Sequence, residues 1–306
     1  NCNDGGSVAA APLAPSLART HVIRTQPYFS SLTCYSAKGT VVRYAVRRRD
    51  HEGNALPRDR PFGRPEIVLG IQMTTAMFVS GNCVLDALPP VDLAGVEHDL
   101  EVVTLAAHQF THSMGGEIAH VDFPIDAVLS VVALLQNGDS VEVGTVGCEG
   151  FVETDAALDS PVSSRTAFCQ VRGRVGRMSI ANFDRRMNES RAFARLMRHN
   201  LRASLFSTQQ FVACNVKHSV LQRCARWLAM TADRVGSDQF TLTHDFLSIM
   251  LGVRRAGVSE AADTLHRLGA IEYRRGVVTI LDSALLAGAA CECYEACKIA
   301  FAAALV

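Results

Sequence analysis

Residues 242–282 read LTHDFLSIMLGVRRAGVSEAADTLHRLGAIEYRRGVVTILD. Thr243 is suited to start a helix, because its hydroxyl can accept a hydrogen bond from an early backbone N–H. A first helix is expected from His244 to Leu251, with Leu247, Met250 and Leu251 inward. Gly252 follows where the chain needs left-handed dihedrals. Val253 then packs between this helix and the next, which carries Val258, Ala261, Ala262 and Leu265 at helical spacing. Gly269 ends the second helix. Ile271 to Arg274 and Val277 to Leu281 make two short strands around Arg275-Gly276, which is a wing. Helix, turn, helix and wing in this order specify a winged helix-turn-helix.

In such a motif the second helix enters the DNA major groove by its N-terminal end. The exposed candidates there are Arg254, Arg255, Ser259 and Glu260. Arg255 can pair bidentately with guanine. Thr243 and His244, at the start of the first helix, are placed for phosphate contacts, which position the protein without specifying sequence. Gly257 costs about 1 kcal/mol in helix propensity. It is expected to permit close approach to the sugar–phosphate backbone.

Upstream, Phe193, Met197, Leu201, Leu205, Phe211 and Val212 recur at helical spacing, with polar Arg195, Arg198, Asn200 and Arg202 between them. A long amphipathic helix is expected over Asn188 to Cys214. One face would pack on its own domain and another on the same helix of a second subunit. A further helix is expected over Ser219 to Thr231, with Leu221, Cys224, Trp227 and Leu228 on one face. Between about Val84 and Ile180 the pattern is β. Val102 to His112, Ile118 to Phe123, Ala127 to Leu135 and Ala167 to Val171 are short apolar runs between turn residues. Asn137-Gly138-Asp139, ahead of alternating Val141, Val143 and Thr145, is a strong hairpin signal. Many short strands at this spacing suggest an antiparallel jelly roll. The stretch Arg47 to Pro65, RRRDHEGNALPRDRPFGRP, has no sustained period and reads as a linker; an arginine-rich nucleic-acid arm is diluted by Asp50, Glu52, Asp59 and Glu66.

The whole chain has 306 residues, enough for about two domains. It is 48% hydrophobic and 20% charged, an ordinary globular balance. Thirty basic and thirty acidic residues cancel, so any DNA-binding surface must be local. Only Lys38, Lys217 and Lys298 are lysines; arginine supplies nearly all the positive charge. No run of about 18 uninterrupted apolar residues exists to cross a membrane. The nearest, Ala284 to Val306, is broken by Glu292, Glu295 and Lys298. Asn1 to Arg19 lacks a basic leader followed by a Leu-rich segment, which weakens a secretory reading. The chain begins with Asn, so its true start is expected to lie upstream. Ten dispersed cysteines suit free thiols in a reducing cytoplasm.

The order of β-roll, long helix and winged helix-turn-helix over about Asn82 to Tyr294 resembles the Crp/Fnr family of bacterial transcription regulators. FPIDAVLSVVALLQNGDSVEVGTVGCEGFV looks like the family's effector domain, CNVKHSVLQRCARWL like its hinge region, and LTHDFLSIMLGVRRAGVSEAADTL like its helix-turn-helix. The resemblance implies an α+β chain. A linker-like or poorly ordered extension (1–81) precedes a cyclic-nucleotide-binding-like β-roll (82–187). A dimerisation helix (188–214) and a winged helix-turn-helix (215–306) follow. It implies a homodimer paired through the Asn188 to Cys214 helix, on a two-fold symmetric operator in double-stranded DNA. Activation by such a regulator also requires contact with RNA polymerase, and the sequence identifies no surface for it.

Departures from the family shape the expectation. Well-known members carry Arg-Glu and then Arg four residues after that Glu in the recognition helix. Here Arg255, Ala256 and Glu260 stand at those positions, so the usual half-site is not expected. Cyclic-nucleotide-binding members hold the ribose with a Glu in Gly-Glu-x-Gly. Gly147-Cys148-Glu149-Gly150 is out of step with that by one residue. Arg165-Thr166-Ala167 fits the family's phosphate element. Glu149, Arg165 and Thr166 are therefore the candidate effector residues. A pocket that is vestigial, or built for another ligand, is expected in preference to a cyclic nucleotide site, and no cofactor is assigned.

Cys291, Cys293 and Cys297 form C-x-C-x3-C, but on one helix they do not share a face. Buried packing is expected of them rather than a metal. Cys214 and His218, four apart, are expected to pack at a helix end. His98, His108, His112 and His120 lie in or near the β-roll. A cupin-like ligand- or metal-binding protein, whose helical tail only assembles subunits, is the rival reading. The chain has no His-x-His, no G-x-x-x-x-G-K-[ST] loop and no G-x-S-x-G elbow, which leads to a non-enzymatic reading. A thiol-based redox sensor feeding the DNA switch is a third option.

Overall fold

The computed structural model describes residues 80–306 and, as backbone, three strands before them. Those strands are β1 (Ser31–Tyr35), β2 (Thr40–Arg47) and β3 (Val68–Thr75), an antiparallel sheet in sequence order. They fall within 1–81, the stretch expected to be a poorly ordered or linker-like extension. TVVRYAVR and VLGIQMTT are rich in β-branched and apolar residues, and the adjoining Arg/Gly/Pro-rich stretch masks that signal. Residues 48–65 of that stretch lie outside the described residues.

The β-roll is two antiparallel sheets. One has the order β4 (Leu100–Leu105), β10 (Gly173–Ser179), β6 (His120–Pro124). The other has the order β5 (Phe110–His112), β9 (Thr166–Val171), β7 (Val128–Leu134), β8 (Ser140–Val146). Leu105, Leu129, Val131, Ala167 and Val175 fill the space between them. The Asn137-Gly138-Asp139 turn joins β7 to β8, with Gly138 at φ 89° and Asn137 Oδ1 accepting from the Asp139 N–H. The run expected from Val102 to His112 is two strands, broken at His108, whose φ is 64°. Strand β10 escaped the pattern reading because two glycines and two arginines interrupt it. Gly173 is there for space: a Cβ would lie 2.5 Å from the Ala127 backbone nitrogen.

Helix α1 (Pro90–Glu97) precedes the roll, and α2 (Ile180–Glu189) and α3 (Arg191–Lys217) follow it. The long helix expected from residue 188 starts at Arg191 instead. Ser190 leaves helical dihedrals (φ −108°, ψ 109°) and its side chain accepts from the Phe193 N–H, ending one helix and capping the next. Phe183, Phe193, Leu196 and Met197 anchor this corner against Phe123 and Phe151 of the roll. Helix α4 (Val220–Val235) begins with a capping box, Ser219 with Gln222, and stops at Gly236, φ 66°. It runs four residues beyond the expected Thr231.

The C-terminal domain is β11 (Gln239–Thr241), α5 (His244–Leu251), α6 (Arg255–Arg267), β12 (Ile271–Arg274) and β13 (Val277–Ile280). Its sheet has the order β11-β13-β12. Two helices complete the chain, α7 (Ser283–Ala289) and α8 (Cys293–Ala304). No helix among the described residues is long and apolar enough to cross a membrane.

A buried polar chain joins α4 to the roll. Trp227 Nε1 donates to Glu142 Oε1 at 2.9 Å. Ser130 Oγ lies 2.8 Å from Glu142 Oε2 and 2.7 Å from Gln170 Oε1. One hydroxyl has one proton to give. With Ser130 donating to Gln170, the remaining contact needs a proton on Glu142, which then donates to Ser130. Burial pushes the Glu142 carboxyl up to about 7, against the opposing pull of Ser130, Trp227 and the Arg226 and Arg234 charges. An acid raised on folding contributes fully below its unfolded value and loses that contribution as pH rises through the folded value. Stability should therefore fall by on the order of 3 kcal/mol from this group between pH 5 and 8. Denaturant titrations across that range should show the loss in the native chain and a flatter profile in Glu142→Gln. Identical profiles for the two chains contradict the assignment.

Candidate nucleic-acid interface

The Thr243 hydroxyl accepts from the Phe246 N–H at 3.1 Å and starts α5. That bond uses a lone pair and leaves the O–H to donate outward. Gly252 makes the corner at φ 61°, ψ 41°. Arg223 of α4 donates to the Leu251 carbonyl just before it. Arg254, still extended, precedes α6 and gives it no side-chain cap. The leading N–H groups of α6 thus carry the positive end of the helix dipole, with no acidic residue in the helix's own first turn.

Arg254 and Arg255 are exposed at this end, as are Ala256 and Glu260. Arg255 Nε holds Asp245 Oδ1 at 2.9 Å, with both side chains about two-thirds exposed. A surface pair of this kind is weak, so a base edge or phosphate can displace it. His244 and Ser259, expected on phosphate and base, are bonded to each other: Nδ1 to Oγ is 3.0 Å. The His244 ring also stacks on Tyr273 at 4.3 Å, and Tyr273 donates its hydroxyl to the Leu242 carbonyl. These groups brace α5, α6 and the wing against one another. Gly257 faces α4, and an added Cβ would meet only Val220 Cγ1 at 3.8 Å, an ordinary contact. The fold itself does not demand a glycine there. The wing tip turns through Arg275 (φ 51°) and Gly276 (φ 76°) and exposes Arg274 and Arg275. Arg274 was not singled out in the sequence, because its outward direction follows from the strand register.

The three effector candidates do not converge. Glu149 takes the Arg234 guanidinium of α4 at 2.7 Å. Thr166 is buried and its hydroxyl accepts from the Met114 N–H. Only Arg165 opens on the cavity between the roll and α3, about 320 Å³, lined also by Val131, Thr145, Leu201 and Thr208. Asp155 already holds Arg165 at 3.0 Å. Glu153 lines the same cavity, fully buried at φ 74°, and one of its oxygens has no partner. Burial pushes its carboxyl up. A buried acid in the lining of this cavity disfavours an anionic ligand such as a cyclic nucleotide.

The roll's histidines do not make a cupin-like site either. His112 and His120 approach to 4.7 Å beside Asp122. Both Asp122 oxygens, however, are held by Arg177. The nitrogens of His112 meet Thr111 Oγ1 and the His120 carbonyl, and burial holds its pKa down at about 4. His108 stands apart, against Phe168 and Phe246.

Residues 222–289 match the model of the Crp-like helix-turn-helix domain. None of the curated proteins searched matches the chain. Among solved structures, FixK2 of Bradyrhizobium japonicum aligns with TM-score 0.53 and 13% identity over 63% of this chain and 98% of that one. A CRP-family transcriptional regulator of Thermus thermophilus aligns with TM-score 0.52 and 22% identity over 62% and 99%. The c-di-GMP-responsive global regulator CLP of Xanthomonas campestris gives 0.51 and 13% over 63% and 100%. At these identities the likeness is one of fold, and the fold is the Crp/Fnr arrangement of β-roll and helix-turn-helix. The cupin-like reading is not favoured.

Two substitutions separate structural from DNA-facing roles. Gly257→Ala should raise stability by about 1 kcal/mol, read by chemical denaturation. If DNA needs that space, the same variant loses DNA affinity while gaining stability; a variant that is less stable contradicts the open space seen here. Asp245→Ala should strengthen binding to random duplex DNA by up to about fivefold, within the range of a surface ion pair. Weaker binding than the unaltered chain would mean that Asp245 orients Arg255 rather than competing for it.

Proposed function

We propose that the chain is a DNA-binding transcription regulator of Crp/Fnr type that acts as a homodimer on a two-fold symmetric operator; the match of residues 222–289 to the Crp-like helix-turn-helix domain and the shared fold support this. The observation that carries the reading is the outward start of α6, with Arg254 and Arg255 exposed. Arg255 reads a guanine by its two parallel N–H groups. Arg254, the Thr243 hydroxyl and the wing arginines Arg274 and Arg275 contact phosphate. His244 and Ser259 act by holding α5 and α6 in register.

The dimer contact is the C-terminal half of α3. Leu205, Val212 and Val216 lie along one stripe of the helix, with Phe206 at its edge, and all four are exposed. The opposite face is covered by α8, where Phe211 meets Cys297 and Ala203 meets Phe301. Two copies joined along this stripe present their α6 helices to successive major grooves, about 34 Å apart. The protein works where it meets DNA, in the cytoplasm.

Binding competition between an enriched operator and random DNA tests the reading. Arg255→Ala should cost about 1–3 kcal/mol on the operator and relax preference at one base pair of each half-site. Arg254→Ala should weaken binding on all sequences and lower the salt slope by about one. Val212→Glu should yield a monomer by light scattering. An unchanged preference in Arg255→Ala removes that residue from base reading, and a dimer that survives Val212→Glu removes the α3 stripe from the interface.

A further inference from the structure

The end of α3 and the start of α8 bring four metal-binding side chains to one point. Cys214 stands in the last turn of α3 and His218, four residues on, is its C-cap. Cys291 and Cys293 flank Glu292 where α8 begins. The three cysteines are buried, and one ligand atom from each of the four residues lies within 4.8 Å of all the others. Cys214 Sγ is 3.5 Å from Cys291 Sγ, and Cys293 Sγ is 3.5 Å from His218 Nδ1. A tetrahedral ion with bonds of about 2.3 Å to sulfur and 2.0–2.1 Å to nitrogen sets its sulfurs about 3.8 Å apart and sulfur from nitrogen about 3.5 Å. Two of the pairs already stand close to that spacing, and the remaining ones lie within 4.8 Å.

Their surroundings point the same way. His218 Nε2 lies 3.2 Å from Glu292 Oε1. In the neutral ring, a carboxylate acceptor at Nε2 puts the proton there and leaves the Nδ1 lone pair facing the thiols, the carboxylate–histidine arrangement that orients a metal ligand. Gln210 Nε2 donates to Cys293 Sγ at 3.2 Å, as it would to a thiolate. By contrast, Cys224 sits in an apolar cluster beside Leu228, as a small hydrophobe does. Cys297, the third member of C-x-C-x3-C, points to Ser207 and Phe211 and stays outside.

We propose that Cys214, His218, Cys291 and Cys293 form a structural zinc(II) site that clamps the C-terminal helix onto the end of α3. Three thiolates and one imidazole close a tetrahedral shell and leave no open position, the pattern of a structural ion. Soft sulfur donors exclude magnesium and calcium. An iron–sulfur cluster places different irons behind its thiolates and spreads them wider than this tetrad. His218 ends α3 and Ser219 caps α4, so the ion fixes the joint through which α3 meets the helix-turn-helix.

The test is elemental analysis of the full chain, purified reduced and without chelator. About one zinc per chain is expected. Cys214→Ser combined with Cys293→Ser should reduce it to trace, while Cys224→Ser and Cys297→Ser keep it. Should the double variant fail to fold, cobalt(II) added to the unaltered chain decides. A tetrahedral thiolate site gives visible d–d bands and near-ultraviolet charge transfer, lost when zinc is returned. A reduced chain that takes up neither zinc nor cobalt overturns the proposal. So does zinc content unmoved in a folded double variant, or a Cys214–Cys291 disulfide in the chain as purified from the cytoplasm.

Discussion

The left-handed corner at Gly252 sets where everything downstream of it points. A side chain with a Cβ is strained at φ 61°. Without that corner α5 and α6 cannot cross with Leu247, Leu251, Val258 and Leu265 in one core. With it, the carbonyl of Leu251 is turned to the Arg223 guanidinium and the chain leaves extended through Arg254. The first turn of α6 is then the part of the domain that faces outward. Burial of the apolar face of α6 forces its polar start into solvent.

The corner also lies against the β-roll. An added Cβ at Gly252 would meet Val141 of β8 at 3.6 Å. Behind it, Trp227 of α4 reaches Glu142 on the same strand, and Arg234 reaches Glu149 and Thr145. Ring contacts among His108, Phe168, Phe246 and Trp227 seal this junction. The roll is therefore joined to α4 and α5 by polar contacts at β8 and the turn after it, and by ring contacts at β9 and His108. Thr145 lines the cavity that β8 shares with α3 and also accepts from Arg234 of α4, so one side chain touches both.

The helix-turn-helix was legible because its glycine, its apolar spacing and its wing turn are local signals. The hairpin at Asn137-Gly138-Asp139 was legible for the same reason. What remained hidden depends on contacts distant in sequence. The pairing of His244 with Ser259 is set by the crossing of two helices. The engagement of Glu149 by Arg234 is set by the docking of α4, so a loop motif alone could not assign Glu149. Cys214 with His218, and Cys291 with Cys293, each read as packing in isolation; only the return of α8 to α3 puts them together. β10 was missed because glycines needed for close strand crossing erase its alternation.

The central claim is that α6 reads duplex DNA from its exposed N-terminal turn in a two-fold assembly. Selection of DNA from a random duplex library by the purified chain, followed by sequencing, addresses it most directly. Enrichment of inverted repeats with half-site centres about one helical turn apart is the result the account requires. Recovery of sequences no different from the starting library, at a salt concentration where non-specific binding is suppressed, would contradict it.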